Sequence, residues 1–266
     1  MSILHYAKYI ENPEYVHHIQ KKIGSELNPN VSVDCVIFGF DLEQLTVLLI
    51  DRGEIPSGSG PRMALPGNLI YDNENLDQAA HRVLAELTGL QNIYLEQVGA
   101  FGDPDRIHKE SDREWLKSIR AEPEARVITV AYFSLVQMAD YKPQASSFAK
   151  NADWIPVTDV KELAFDHFEI LQAAIEKLKQ KIKIQPIGFN LLPEKFTLSQ
   201  LHRLYESILD KPLDKRNFRR KIQKLDILSS LREKQKGVPH KPSLLYEFNE
   251  EKYQELTQTG FDNFGF

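Results

Sequence analysis

The sequence predicts an α+β chain of two domains, with an N-terminal arm at residues 1–28, a sheet-bearing domain at 29–182 and a small basic domain at 183–266. Three observations lead there. β-branched apolar runs alternate with strongly periodic helical segments. Pro186 and Gly188 interrupt the chain where helix would otherwise continue, and the composition turns basic soon afterwards. The arm reads as polar and helical. Residues 31–40 and 45–50 are strand-like, and the four-residue linker 41–44 suits a hairpin. Residues 53–62, rich in Gly, Ser and Pro, are loop. Leu76, Ala79, Ala80, Val83, Leu84 and Leu87 then recur at helical spacing, with Asn75 as N-cap and Gly89 as stop. Strands follow at 94–100 and 127–136. The charged stretch between them reads as a surface insertion bearing a short helix. A last strand is expected near 154–157 and an amphipathic helix over 169–181.

Composition narrows the class. Of 266 residues, 42% are hydrophobic and 27% charged, ordinary for a globular chain with its own cores. Cys35 is the single cysteine, so an intrachain disulfide framework is excluded and a reducing, cytoplasmic setting is expected. Residues 1–15 lack the pattern of a secretory signal, and no apolar run has the length of a membrane span, so no membrane partner is expected. The net charge of −5 is unevenly spread. From Pro186 onward there are 14 Lys and Arg against 11 Asp and Glu, and between Lys211 and Lys241 eleven basic residues face three acidic ones. Such a local excess is a footprint for a polyanion; a solvated charged face is the plainer reading.

The segment from Leu65 to Leu90 carries the chemistry. It reads Leu65-Pro66-Gly67-Asn68, then Glu74, then Arg82-Val83-Leu84-Ala85-Glu86-Leu87-Thr88-Gly89-Leu90. It resembles the Nudix box, G-x5-E-x7-R-E-U-x-E-E-x-G-U with U aliphatic, in one register without insertion. Six of nine positions match, at Glu74, Arg82, Leu84, Glu86, Gly89 and Leu90. In the box three glutamates on one helical face hold divalent metal against a pyrophosphate. Here Asn68 replaces the glycine, and Val83 and Leu87 replace two of those glutamates. The losses fall where hydrolysis needs carboxylates. The resemblance therefore implies a Nudix α/β/α sandwich with a mixed sheet, no metal and no catalytic residues. Glu74, Arg82 and Glu86 remain as a residual box that ties loop to helix.

Two further segments resemble Nudix-related transcriptional regulators. Phe101-Gly102-Asp103-Pro104-Asp105-Arg106 and Arg126-Val127-Ile128-Thr129-Val130-Ala131-Tyr132 match a pattern whose halves usually lie close together; here 19 residues separate Arg106 from Arg126. Leu163-Ala164-Phe165-Asp166-His167 matches a later signature of the same branch. The resemblance makes Arg52, Phe101, Asp103, Arg106, Arg126, Asp166 and His167 candidate effector-binding residues. For Asp166 and His167, helix capping is an equal reading.

The second domain begins with a capping box, Thr197 with Gln200, and an apolar stripe of Leu198, Leu201, Leu204, Tyr205 and Ile208. After the turn at 210–213, Asp214 caps a second helix. Phe218, Ile222 and Leu225 face inward there, and the basic residues face outward. This is the spacing of a helix-turn-helix. Residues 227–231 read as closing that helix, 232–242 as a basic loop, and 244–248 as a returning strand. Tyr246 and Phe248 are expected in the core of this wing. The stretch resembles the C-terminal winged helix of the same regulators, which include those of NAD metabolism and arabinose-type sugar catabolism. Lys215, Arg216, Asn217, Arg219, Arg220, Lys221, Lys234, Lys236 and Lys241 are the candidate DNA contacts.

Together these readings predict a homodimeric, ligand-responsive regulator, a repressor, on double-stranded operator DNA. Its effector is a pentose sugar or ADP-ribose, and the missing carboxylates lean toward the sugar. No cofactor is expected. The alternative is an active Nudix hydrolase of ADP-ribose or related nucleoside diphosphates, which would need magnesium. A third reading is an adaptor whose basic tail touches RNA or an acidic protein.

Overall fold

The computed structural model describes residues 26–259 apart from 57, 59, 142, 144–148 and 240. The expected helical arm lies outside them, except that its last residues already belong to a strand. Two compact units are present. The first takes the chain through Ile37, Val47–Ser134 and Lys142–Ala174; the second takes Phe38–Thr46, Leu135–Tyr141 and the chain from Ile175 onward.

A seven-stranded sheet runs in the order β3-β2-β1-β6-β5, with β4 on β1 and β7 on β2. Its strands are β1 (Leu27–Phe40), β2 (Leu45–Asp51), β3 (Met63–Ala64), β4 (Gly67–Tyr71), β5 (Glu96–Phe101), β6 (Ile128–Leu135) and β7 (Asn151–Pro156). β1 and β2 form the central pair, and their inner residues Val36, Ile37, Phe38, Val47 and Leu48 are fully buried. A strand covered on both faces must be apolar at successive positions, which is why these runs do not alternate. Around residues 34–35 the alternation is chemical instead. The Cys35 thiol donates to the Ala80 carbonyl of α1 (Leu76–Thr88), whereas Asp34 faces His167, the first residue of α3 (His167–Ile184). Consecutive side chains on a strand point to opposite faces, so helices lie on both sides of the sheet, the sandwich expected from the sequence.

Helix α1 has the predicted ends. The Asn75 side chain accepts from the Gln78 N–H while the Gln78 side chain accepts from the Asn75 N–H, and Gly89 closes the helix at φ +74°. Its stripe of Ala79, Ala80, Val83, Leu84 and Leu87 is buried.

The insertion contains α2 (Glu110–Ile119), and here the structure corrects the expectation of a surface element. Asp112, Trp115 and Leu116 are buried at i, i+3 and i+4, so one face of α2 packs inward.

In the second unit, α4 (Leu198–Leu209) carries the capping box of Thr197 and Gln200 and buries Leu201, Leu204, Tyr205 and Ile208. Asp214 caps α5 (Lys215–Lys224) by accepting the Asn217 N–H at 2.7 Å, and Phe218 packs edge-on against Tyr205 and His202. Leu225 is only half-buried at the helix end. Residues Leu228–Lys234 do not close the helix; they form β8, antiparallel to β9 (Leu244–Phe248). Phe248 stacks on Phe189 at 4.2 Å, and the Tyr246 backbone bonds that of Phe196, so both serve the wing core. The last described helix is α6 (Glu250–Thr259). Among the described residues no helix is long and apolar enough to cross a membrane.

Candidate functional site

Val83 and Leu87 are 0% and 1% exposed, so the two positions that would carry metal-binding glutamates are core. The remaining carboxylates are engaged. Arg82 bonds both Glu74 oxygens, the Leu69 carbonyl at 3.0 Å and Glu86 at 3.0 Å, and its guanidinium lies 4.3 Å from the Tyr71 ring centroid. Glu74 also accepts the Tyr71 N–H at 2.8 Å. These bonds pin the loop after β4 to α1. Among the described residues no three His, Cys, Asp or Glu side chains converge to hold a metal ion. The magnesium that a Nudix box implies therefore does not fit the residues present.

The other face of the sheet holds a cleft of about 540 Å³, counting the open solvent at its mouth. Its lining comes from β1, the end of β2, the Ala64–Asn68 stretch where β3 passes into β4, residues 106–107, α2 with Arg120 after it, and Phe165 and His167 at the start of α3. The Leu-Pro-Gly segment is shaped by contact with Asp34. A Cβ on Gly67 would come within 1.8 Å of an Asp34 carboxylate oxygen, so only glycine fits.

Buried charges are concentrated here. Arg52 pairs with Asp112 across 60 residues of sequence, both side chains being fully buried. Its guanidinium carbon lies 5.1 Å from the Trp115 ring centroid and 5.0 Å from that of Phe165. Burial draws the Arg52 guanidinium below its ordinary value, opposed by Asp112. The second Asp112 oxygen accepts the Phe165 N–H at 2.8 Å and so holds Phe165 at φ +54°. Arg106 bonds Asp166 through two parallel N–H groups at 2.8 and 2.7 Å, and lies 3.7 Å from Asp34. Burial opposes the charge of Arg106, but these carboxylates outweigh it and raise its pKa. Asp34 also accepts from the Thr129 hydroxyl at 2.6 Å.

His167 has a defined protonation. Its Nδ1 accepts the Leu65 N–H at 2.9 Å, so the neutral ring carries its proton on Nε2, 3.4 Å from Asp34. Burial holds its pKa below the ordinary histidine value against the pull of Asp34 and Asp166.

Of the expected effector residues, Arg52, Arg106 and His167 line the cleft, and Asp166 supports Arg106 from behind. Asp166 stands at the start of α3, but its side chain goes to Arg106 instead of the helix amides. Phe101, Asp103 and Arg126 lie outside the lining. Asp103 accepts the Asp105 N–H within its own loop, and Arg126 donates to the Gly102 carbonyl at 3.0 Å. Asp34, Asp112, Trp115, Arg120 and Phe165 were not singled out from the sequence. Asp112, Trp115 and Leu116 do share a helical face, which was a readable signal. A carboxylate on that face reads as solvated until its buried partner is known.

On α5 the side chains of Lys215, Arg216, Asn217, Arg219 and Arg220 are exposed, and Lys221 is half-exposed. Asn217 accepts from Arg220 at 3.1 Å on the same helix. Lys234 ends β8, and Lys236 and Lys241 lie exposed in the connection to β9. The helix and wing thus carry cations outward while Phe218 and Ile222 fix them to the core.

The Nudix domain family matches residues 28–174, and the NrtR DNA-binding winged helix domain matches residues 188–248. The chain is 32% identical over 230 residues to the ADPR responsive transcriptional repressor NtrR of Acinetobacter baylyi, covering 85% of this chain and 84% of that protein. It is 28% identical over 152 residues to the ADP-ribose pyrophosphatase of Methanocaldococcus jannaschii, covering 57% and 76%. Among solved structures, Shewanella oneidensis NrtR complexed with a 27mer DNA superposes with a TM-score of 0.66 at 28% identity, covering 84% of this chain and 95% of that one. With both domains matched in this order, and with that identity over most of its length, the chain belongs to the NrtR-type family, in which a Nudix domain precedes an NrtR winged helix.

Proposed function

We propose that this protein is an ADP-ribose-responsive transcriptional repressor. It binds double-stranded operator DNA through α5 and the β8–β9 wing and takes its effector in the cleft of the Nudix unit. The observation that carries the reading is the exposed basic face of α5 on a buried Phe218–Ile222 stripe. The likenesses to the Acinetobacter baylyi repressor and to the DNA complex of the Shewanella oneidensis protein support it. Bases are read by Arg and Asn in the major groove, and the wing lysines contact phosphates. The repressor acts in the cytoplasm as a homodimer on two half-sites, and it needs no cofactor.

The effector is ADP-ribose in preference to a free pentose, on the likeness to the ADPR responsive repressor of Acinetobacter baylyi and on the three arginines that line the cleft. Hydrolysis is a second reading, favoured by the likeness to the pyrophosphatase. It is the weaker one, because Val83 and Leu87 are core residues and Arg82 engages the retained glutamates.

The test is selection of duplex DNA by the purified protein, with and without ADP-ribose, ribose and arabinose. Recovery of one palindrome, released by ADP-ribose alone, is expected. Failure to select any sequence at low salt overturns the regulator, and release by arabinose alone overturns the effector.

A further inference from the structure

Two guanidinium groups in the cleft have donors that no described group of the chain accepts: one is fully buried, and the other, half-buried, opens on the cleft. Arg52 is fully buried, and its Nη1 has no hydrogen-bond acceptor. Arg120, immediately after α2, lines the same cleft. Among the described residues its guanidinium makes no hydrogen bond and no ion pair, being influenced only at longer range by Asp34 and Arg106. Native proteins leave few buried donors unpaired, and each such group calls for an explanation.

The nearby carboxylates are already committed. Asp112 serves Arg52 Nη2 and the Phe165 N–H, Asp166 serves Arg106 with both oxygens, and Asp34 serves Thr129 and faces His167 and Arg106. No acidic side chain in the lining is left to receive Arg120. An acceptor for both groups can come from a ligand in the cleft, and an anion answers two guanidinium cations better than water or a neutral group does.

We propose that Arg120, with Arg52 Nη1, grips a phosphate group of the effector, and that the inserted helix α2 is the element that supplies this selectivity. This rests on the reading of the cleft as the effector site. Each phosphate of a pyrophosphate linkage offers two non-bridging oxygens and a full negative charge to these donors; a neutral pentose offers hydroxyl oxygens but no charge. Burial draws Arg120 down to about 10, so it stays cationic at neutral pH and gains from an anion beside it. The apolar side chains of Trp115 and Ile119, also on α2, line the cleft beside these groups and would cover the less polar part of such a ligand.

The experiment is calorimetric titration of the full chain with ADP-ribose, ribose 5-phosphate, pyrophosphate and ribose, in wild type, Arg120→Ala, Arg120→Lys and the exposed-site control Lys117→Ala. Arg120→Ala is expected to weaken ADP-ribose about ten- to hundredfold, the loss of a charge-assisted pair, with the ligand-free melting temperature unchanged. Arg120→Lys recovers part of the affinity, Lys117→Ala changes nothing, and affinity falls less steeply with salt in the alanine variant. Equal binding by wild type and Arg120→Ala overturns the proposal. If ADP-ribose fails on wild type but ribose 5-phosphate or pyrophosphate binds in an Arg120-dependent way, the grip stands and the effector assignment falls. If none of the three phosphates binds, the grip falls as well.

Discussion

Replacing Asp112 by Asn keeps the shape of the side chain and removes its charge, which isolates what the buried pair contributes. Asp112 and Arg52 are both fully buried, and Asp112 also holds the Phe165 N–H at a residue with φ +54°. The amide retains one acceptor. It presents N–H groups where the second carboxylate oxygen stood, against either the guanidinium or the peptide. Arg52 then remains as a buried cation without its counter-charge. Breaking such a pair costs about 3–5 kcal/mol, and the surviving acceptor places Asp112→Asn near the lower figure, about 3 kcal/mol. For a domain of this size that lowers the melting temperature by about 6–12 °C. Scanning calorimetry of the full chain reads the Nudix transition directly. Lys117→Ala on the exposed face of the same helix, whose nearest carboxylate is 3.9 Å away, is expected to leave it unmoved. The double variant Arg52→Met with Asp112→Leu is expected to recover most of the loss, because apolar side chains of similar volume remove the unpaired charge. A shift below about 2 °C for Asp112→Asn would refute the claim that α2 is a structural part of the cleft.

Other outcomes follow from the same geometry. Val83→Glu, which restores a box glutamate, is expected to lower stability by several kcal/mol without magnesium-dependent cleavage of ADP-ribose, since the position is core; a stable, hydrolytic variant would sink that assignment. His167 and His81 are both held below the ordinary histidine value of about 6.5, chiefly by burial. Their neutral forms favour the fold, so stability is complete above that value and declines as pH falls from it toward the lower folded-state values. Urea midpoints measured from pH 8 to pH 5 check this, and a flat profile contradicts it. Lys236→Ala in the wing is expected to weaken all DNA sequences alike and to reduce the log-salt slope of binding by about 1, while Arg219→Ala on α5 relaxes sequence preference; titrations at several salt concentrations separate the two.

Much of the architecture was legible because its signals are local. Helix α1, its Asn75 cap and its Gly89 stop follow from periodicity and from side chains that bond their own backbone, as do the Thr197 box and the Asp214 cap. The Nudix register depends on residue identities at fixed spacing, and the lost metal face could be read directly from Val83 and Leu87. β8 escaped because its residues Leu-Ser-Ser-Leu-Arg-Glu-Lys form half of a two-stranded ribbon among the described residues, and such a ribbon needs no apolar alternation. The cleft was decided by tertiary structure. Its pairs, Arg52 with Asp112 and Arg106 with Asp166, each span 60 residues of sequence, and Leu65 meets His167 across 102. A charged residue in a sequence carries no mark of whether its partner will be water or another chain segment. Only the packing of α2 and α3 against the sheet excluded water from Arg52 and Asp112 and left Arg120 facing the cleft, and that exclusion gives these charges their chemistry.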